Sequence, residues 1–221
     1  MKWAAMISPV RYARAAVPIA LLLTGMLALS QPARASARVA AAGPAAASGS
    51  NLLLNPRATA ADAAAQGWDA VTIPGWQVSA GLPTVVRSGT SGFPQPVGAW
   101  PASRGQIFAG GAGGTARLVQ RLSLLLPSGQ PAPSRTSYQL SAWLGGTVNS
   151  WAEVTVRFLS AANRVLASRT IGPVGRSRRA EFAPRTGSGV LPAGTTAAQV
   201  TVVLATSLTN ANGWQTAARP R

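Results

Sequence analysis

The side chains best suited to binding chemistry in this sequence are tryptophans in or beside predicted turns. Trp143 and Trp151 flank a Gly-Gly-Thr-Val-Asn-Ser turn that contains Asn149, and Trp100 lies in a Gly/Pro-rich loop. An indole packs on the flat face of a sugar ring, while a nearby amide bonds the sugar hydroxyls. We therefore predict a carbohydrate site at Trp143, Trp151, Trp100 and Asn149. The alternative is that these rings cover the ends or the second face of the fold, and Trp76, within Pro-Gly-Trp, is predicted to be core.

The densest group of positive charges lies later in the chain, at Arg176, Arg178, Arg179 and Arg185. Guanidinium groups at this spacing are suited to an acidic polysaccharide or another anionic polymer of the cell envelope. The alternative is a solvated basic edge strand, whose charges oppose pairing with other chains. Nucleic acid is a less favoured partner, because no nucleic-acid-binding signature is present and the aromatic residues are not interleaved with the arginines.

Several kinds of catalytic site are excluded by composition. The chain has no cysteine and no histidine, so it has no disulfide, no Ser-His-Asp or Cys-His catalysis and no zinc site of thiolate or imidazole ligands. Its acidic residues are Asp62, Asp69, Glu153 and Glu181. A glycosidase needs two carboxylates across the scissile bond. Glu153 and Glu181 could lie on neighbouring strands, but Glu153 is more simply the exposed member of an alternating strand. We therefore predict neither catalysis nor a metal or other cofactor.

The charge balance is strongly basic, with 20 Lys and Arg against 4 Asp and Glu in 221 residues, a net charge of +16. Every basic residue except Lys2 is arginine. The abundance of Ala, Gly and Pro beside these arginines indicates a GC-rich gene, so part of the charge can be compositional. A surface of this sign attracts polyanions, whether wall polymers, nucleic acid or membrane surfaces, and charge alone does not choose among them.

The first 35 residues resemble an export leader. Lys2, Arg11 and Arg14 precede the apolar run 15–29, and Ala33-Arg34-Ala35 has the small-residue pattern of a cleavage site. A retained membrane anchor is the alternative, but the run is shorter than the roughly 20 residues that span a bilayer and contains Pro18. We predict cleavage after Ala35. The mature chain then carries 16 arginines and 4 acidic residues, a net charge of +12.

Beyond the leader we predict a flexible Ala/Gly/Ser linker over 36–50, a single folded domain over 51–209 and an atypical tail over 210–221. In the domain, hydrophobic residues recur with period two, which indicates strands with one buried face. The clearest case is 137–160, interpreted as a long antiparallel pair around a turn at 145–150. Its predicted inner residues are Tyr138, Leu140, Ala142 and Leu144, then Val154, Val156 and Phe158.

Further strands are predicted from the same pattern and from Gly/Pro turns. They lie at 51–55, 77–80, 84–88, 115–126, 164–171 and 194–207, with a basic loop or edge strand over 176–184 and a short helix or loop over 58–66. Strands at such intervals, with almost no helical periodicity, predict an all-β sandwich or barrel.

Five short motifs occur in order: Asn51-Leu-Leu-Leu-Asn-Pro, Pro74-Gly-Trp, Arg104-Gly-Gln-Ile-Phe-Ala-Gly-Gly, Tyr138-Gln-Leu-Ser-Ala-Trp-Leu-Gly-Gly and Pro192-Ala-Gly-Thr. Together they resemble the secreted bacterial β-sandwich domains of the galactose-binding-like jelly roll, which many carbohydrate-binding modules share. The resemblance spans about 51–209. It implies two antiparallel sheets and a secreted or wall-associated module that binds carbohydrate or cell-envelope glycan. The alternative is a structural or protein-interaction module of the envelope.

Two departures from that pattern matter. The glycine and acidic residue that commonly follow the first Asn-Pro in this group are replaced by Arg57-Ala58-Thr59. The group also closes with a strand after an Ala-Asp-Asn-like element, whereas this chain continues from Asn210 into a different sequence. Acidic residues at these two ends can hold calcium in relatives, so we predict no calcium here. We also expect the last strand to be missing, which would leave an exposed edge.

Overall fold

The computed structural model describes residues 4–13, 51–95, 105–112, 114–133, 135–147, 149–175 and 181–206, the first range by its backbone alone. The described residues contain ten strands and no helix. In chain order the strands are Ala4–Ala13 (β1), Gln77–Ala80 (β2), Thr84–Arg87 (β3), Gln106–Ala109 (β4), Thr115–Ser123 (β5), Ser137–Gly145 (β6), Ser150–Leu159 (β7), Val165–Gly175 (β8), Phe182–Val190 (β9) and Ala197–Thr206 (β10).

The strands form two five-stranded sheets. The first sheet has the order β3-β4-β1-β6-β9 and the second β2-β5-β10-β7-β8, with antiparallel pairing throughout. This arrangement confirms the all-β sandwich predicted from the sequence. The two-residue period accounts for it, because each strand turns one row of side chains toward the other sheet.

The main core lies between the two sheets and consists of the predicted inner rows. On β6 these residues are Leu140, Ala142 and Leu144, and on β7 they are Val154, Val156 and Phe158. Tyr138 packs on Phe158 across the core, with ring centroids 4.6 Å apart. Trp76 also lies in this core, as predicted, edge-on to Phe108 at 5.5 Å.

The predicted pairing of β6 with β7 is wrong. The strands lie where the sequence indicated, but β6 is bonded to β1 and β9, whereas β7 is bonded to β10 and β8. The intervening turn therefore crosses from one sheet to the other. At Gly146 a Cβ would collide with the backbone of Ser150 and Gly175, so the chain can turn this tightly only with glycine there. Two strands that pack face to face show the same two-residue period as two strands that pair.

The N-terminal segment contributes a strand that the sequence did not predict. β1 lies inside the first sheet, with Ala5 opposite Phe108 of β4 and opposite Leu144 of β6. These residues belong to the stretch interpreted as an export leader, and cleavage after Ala35 stays a prediction. The linker over 36–50 and the tail over 210–221 lie outside the described residues.

The segment 51–55 is not the strand that its apolar residues indicated. Asn51 alone forms a β-bridge, and the chain after it turns. Residues 58–66 likewise form turns and bends rather than a helix. The cause is the buried side chain of Gln120 on β5, which accepts a hydrogen bond from Leu54 N at 2.8 Å and donates to the carbonyl oxygens of Leu54 and Gly75. One amide thus satisfies backbone groups that a neighbouring strand would otherwise satisfy.

Candidate functional site

The two outer faces of the sandwich differ sharply in what lies over them. On the first sheet, the outward residues Val86, Ile107, Ala109 and Phe182 are buried and form a second, smaller core with Phe93. Phe93 belongs to the loop 88–95, which crosses this face. Pro94 of the same loop lies so close to Gly145 that a Cβ there would be 2.8 Å from the proline ring. We call this outer face of the first sheet the covered face.

The loop over the covered face is held by its own hydrogen bonds. The amide nitrogen of Gln95 donates to the carbonyl oxygens of Phe93 at 2.9 Å and Thr90 at 3.2 Å. The Thr90 hydroxyl donates to the Arg87 carbonyl oxygen at 2.7 Å, and Phe182 N donates to the Gln95 carbonyl oxygen at 3.3 Å. These bonds connect the loop to β3 and β9, so the cover is part of the folded domain.

Trp143 lies on the covered face. The sequence placed this ring opposite Leu140 and Leu144, on the outer side of β6, and the structure agrees. The side chain is half-buried, however, and packs against the second core rather than standing in solvent. This position agrees with the alternative prediction, in which the ring helps to cover the second face of a sheet.

Among the described residues, no such core lies over the outer face of the second sheet, which we call the open face. Most of its outward positions are half-buried or exposed and carry polar or charged groups, whereas Ala197, Val203 and Ala205 of β10 are buried. The outward residues include Arg117, Val119 and Arg121 on β5; Gln199, Thr201 and Val203 on β10; Trp151, Glu153, Thr155 and Arg157 on β7; and Ser168 and Thr170 on β8.

The strand register arranges these groups in rows across the open face. One row contains Arg121, Gln199 and Arg157. A second contains Val119, Thr201 and Thr155, and a third contains Arg117, Val203 and Glu153. Neighbouring strands lie about 4.8 Å apart, so the β5 and β7 members of a row are roughly 10 Å apart. At the β7 end of the middle row, the hydroxyl groups of Thr155 and Thr170 are hydrogen-bonded to each other at 2.8 Å.

Trp151 stands at one end of the open face and is half-buried. Its neighbours across the sheet are Ala205 on β10 and Gly175 on β8, both of which lack a large side chain. The tight turn before β7 determines this position, because Thr147 N donates to the Ser150 hydroxyl at 2.8 Å and Ser150 N to the Thr147 carbonyl oxygen at 3.1 Å. Asn149, also half-buried, lies in the same turn, two residues from the indole.

The structure does not bring the predicted site residues together. Trp143 and Trp151 lie on opposite outer faces of the sandwich, because the turn between them changes sheet. Trp151 and Asn149 remain neighbours. Trp100 lies outside the described residues, so its place in this arrangement is not defined.

The predicted arginine cluster is only partly described. Arg176, Arg178 and Arg179 lie outside the described residues, and Arg185 is exposed on β9, the edge strand of the first sheet. The arginines that share one face are instead Arg117, Arg121 and Arg157, which the sequence analysis did not single out. Their common face could have been predicted from the sequence, because all three occupy outward positions of strongly alternating strands. Arg121 also donates to the Asn163 side chain at the β7–β8 turn, which orients its guanidinium group.

The two glutamates considered as a catalytic pair lie apart. Glu153 is half-buried on the open face of the second sheet, whereas Glu181 is exposed beside the first sheet, in a bridge with Gln95. Among the described residues, no three or more acidic side chains are grouped as a metal site would require. In the same part of the chain, no helix is long and apolar enough to cross a membrane.

Comparisons with known proteins leave the family of this chain open. No protein-family model matches it, and neither does any curated protein. Among solved structures, one match is the enzymatically active domain of tailspike protein 4 from bacteriophage CBA120, at 17% identity and a TM-score of 0.41. The match covers 61% of this chain but 18% of the tailspike chain. A likeness at this level carries no argument about substrate or reaction.

One prediction from the sequence is corrected by this comparison. We predicted that the chain is not an enzyme, and the matching tailspike domain is described as enzymatically active. The prediction of no catalysis is not kept, and the comparison assigns this chain no reaction.

Proposed function

We propose that this protein binds an acidic glycan of the cell envelope across its open face. The observation that carries the proposal is the grouping of Arg117, Arg121 and Arg157 with hydroxyl and amide groups on the open face. A guanidinium group can donate two parallel hydrogen bonds to one carboxylate or phosphate group, and the threonine, serine and glutamine side chains are suited to sugar hydroxyls. Rows of binding groups that run across several strands accommodate an extended polymer rather than a small compact ligand.

Trp151 supplies the apolar contact in this proposal. An indole contributes area against the C–H face of a sugar ring, and its position at the end of the polar rows would define where one sugar unit sits. Trp143 is assigned no part in binding, because it packs into the second core. The predicted export leader is consistent with this function, and we propose that the protein acts outside the cell, released or associated with the wall.

The test is a binding measurement with the purified full-length protein on arrays of neutral and acidic glycans, at low and high salt. We expect binding to acidic chains that weakens as salt rises, because exposed charges are screened. Salt-resistant binding to a neutral sugar would contradict the role of the arginines. Absence of binding to any glycan would overturn the proposal.

Paired variants with equal charge loss test the location of the site. We expect Arg117→Gln with Arg157→Gln to weaken binding to the acidic glycan by about tenfold or more, since charge-assisted hydrogen bonds contribute about 1.5–3 kcal/mol each before screening. The control is Arg87→Gln with Arg185→Gln, which removes the same charge from exposed positions on the first sheet. Equal losses in both variants would show a general polyanion attraction and no site on the open face.

The aromatic part is tested by a second pair. We expect Trp151→Ala to weaken glycan binding about five- to tenfold, because stacking of this kind contributes about 1 kcal/mol. Trp143→Ala should reduce stability and leave the affinity of the folded fraction unchanged. The reverse result would move the site to the covered face.

A further inference from the structure

The positive charges of the open face are concentrated at one end. Opposite positions on β5, β10 and β7 form the row of Arg121, Gln199 and Arg157, which we call the arginine row. Arg164, in the turn that follows β7, adds a third positive charge at the same end. The turn 160–164 contains no acidic residue, and neither does the arginine row. This end of the face therefore attracts anions.

A row further along the same strands carries charges of both signs. It consists of Arg117, Val203 and Glu153, and we call it the mixed row. The two rows are four residues apart on each strand, which corresponds to roughly 14 Å. An acidic group bound at the mixed row would face Glu153 as well as Arg117, and the two charges oppose each other. The mixed row therefore offers an anion little net attraction.

A hydrogen bond that crosses the second sheet directs one guanidinium group of the arginine row. Arg121 lies on β5, and its guanidinium group donates to the side-chain oxygen of Asn163, in the turn between β7 and β8. Because β10 lies between β5 and β7, the Arg121 side chain extends over β10 to reach this turn. The contact brings its guanidinium group to the β7 side of the face, where Arg157 lies.

The turn that carries Asn163 is itself fixed by hydrogen bonds. Ser160 N donates to the Arg164 carbonyl oxygen at 3.0 Å, and Asn163 N donates to the Ser160 carbonyl oxygen at 2.9 Å. Arg164 N donates to the Ser160 hydroxyl oxygen at 3.2 Å. Asn163 has a φ of 59°, in the left-handed region that asparagine adopts more readily than most residues. Its side chain therefore extends from a fixed backbone, as a positioning residue for Arg121 requires.

We propose that the open face binds its glycan in a single orientation, with an acidic group at the arginine row and a neutral sugar at Trp151. Arg121 and Arg157 have enough donors to bond one carboxylate, sulfate or phosphate group together, and the Gln199 amide lies between their strands. The inference rests on the proposed glycan binding and adds the order in which the units of the ligand lie.

The row that contains Trp151 carries no charge. Its members are Thr115, Ala205, Trp151 and Gly175. Trp151 is six positions from Arg157 along β7, about 20 Å away. An indole contacts the apolar face of a neutral sugar, whereas an acidic sugar there has no cation in its row. The ligand is therefore a glycan in which an acidic unit is separated from a neutral stretch, and not a polymer charged at every sugar.

Titration with inorganic phosphate tests the anion site without a glycan. The Nε–H signals of the arginine side chains are followed by NMR in the full-length protein and assigned by their loss in Arg121→Gln, Arg157→Gln and Arg117→Gln. We expect Arg121 and Arg157 to respond together, at a phosphate concentration about fivefold or more below that for Arg117. Equal responses of all three arginines, or no response in the arginine row, would overturn the proposal.

This result is separable from the test of the proposed function. Glycan arrays measure whether the protein binds acidic chains at all, and the paired arginine variants measure whether the open face is used. Glycan binding on the open face together with equal phosphate responses would overturn the single orientation and leave the proposed function standing. Absence of glycan binding would remove the function on which the orientation rests.

Two substitutions test Asn163 as a positioning residue. Asn163→Gly keeps the left-handed backbone and removes the amide, so we expect phosphate binding about threefold weaker and the Arg121 Nε–H signal shifted toward that of a free arginine. Asn163→Asp adds a carboxylate beside Arg121 and should weaken phosphate binding about tenfold. Ala162→Asp, which adds the same charge at an exposed position of the same turn, is the control.

The comparison distinguishes positioning from a structural role. A structural role alone would lower the thermal stability of Asn163→Gly and leave its phosphate affinity and the Arg121 signal unchanged, which would contradict the assignment. Equal losses in Asn163→Asp and Ala162→Asp would show that net charge acts on the anion without the Asn163 contact.

Glu153→Gln tests the discrimination against a fully charged polymer. The substitution gives the mixed row a net positive charge, so we expect Arg117 to respond at a phosphate concentration about threefold lower. Affinity for tetragalacturonate, in which every sugar is acidic, should rise about threefold or more. Asp62→Asn, which removes an equal charge at an exposed position outside both sheets, should leave it unchanged. No gain in Glu153→Gln, or an equal gain in both variants, would contradict the proposed orientation.

Discussion

The two outer faces of the sandwich come from strands with the same alternation, yet only one of them is exposed. On the covered face the outward residues Val86, Ile107 and Phe182 are apolar and buried beneath the loop 88–95. On the open face the outward residues of β5 and β7 are mostly polar, and they have no buried cluster of this kind over them. A row that points away from the main core is therefore not necessarily a surface row.

The difference between the two faces explains why two outward tryptophans have different roles. Trp143 and Trp151 are eight positions apart and both point outward, but Trp143 belongs to the second core and Trp151 to the open face. The residues around each ring make the distinction. Burial of apolar surface stabilises the first face, whereas the second face keeps hydrogen-bonding groups in contact with water and available to a ligand.

The largest expected effect is a loss of stability on the covered face. Phe182→Ala removes an aromatic side chain that is 2% exposed and leaves a cavity beneath the loop 88–95. We expect the free energy of unfolding to fall by about 3–5 kcal/mol, measured by urea denaturation. Val119→Ala, at a half-buried position of the open face, is the comparison and should cost less than about 1 kcal/mol. Similar losses at both positions would contradict the division into covered and open faces.

A smaller effect is expected where the loop meets the sheet. In Gly145→Ala the new Cβ would lie 2.8 Å from Pro94 and 3.0 Å from Phe182, so either the loop or the ring must move. We expect a loss of about 1–3 kcal/mol and faster proteolysis within 88–95. Gly105→Ala is the control, because a Cβ at that residue would have no neighbour within 4 Å and its φ is not in the left-handed region. Unchanged proteolysis in Gly145→Ala would show that the loop does not pack on β6.

The smallest effect is expected on the open face itself. Thr155→Val removes one of two hydroxyl groups that bond each other at 2.8 Å in a solvent-exposed setting. Water replaces the lost partner, so we expect a change in unfolding free energy within about 0.5 kcal/mol. A double-mutant cycle with Thr170→Val should give a coupling below about 1 kcal/mol. A larger coupling would indicate that this pair is shielded from water and that the face is covered.

Much of the fold was predictable because alternation is a local property. The inner rows of β5, β6, β7 and β10 follow from a two-residue period, and the core contains the residues that this period selects. β9 was only partly predicted, since Gly187, Gly189 and several polar residues interrupt its apolar pattern. The candidate site was harder to predict. Its arginines are scattered along the sequence and become neighbours only through strand pairing.

Alternation and composition are enough to establish which side chains of a strand share a face, that the fold is all-β, and that thiol and imidazole chemistry are excluded. The tertiary structure alone decided which strands pair, that β6 and β7 belong to different sheets, and which outer face is covered. This is because the two-residue hydrophobic period of a strand reflects burial of one of its faces and does not specify which strands pair with it. Those neighbours depend on contacts between residues far apart in the chain, such as Gln120 with Leu54 and Trp76 with Phe108.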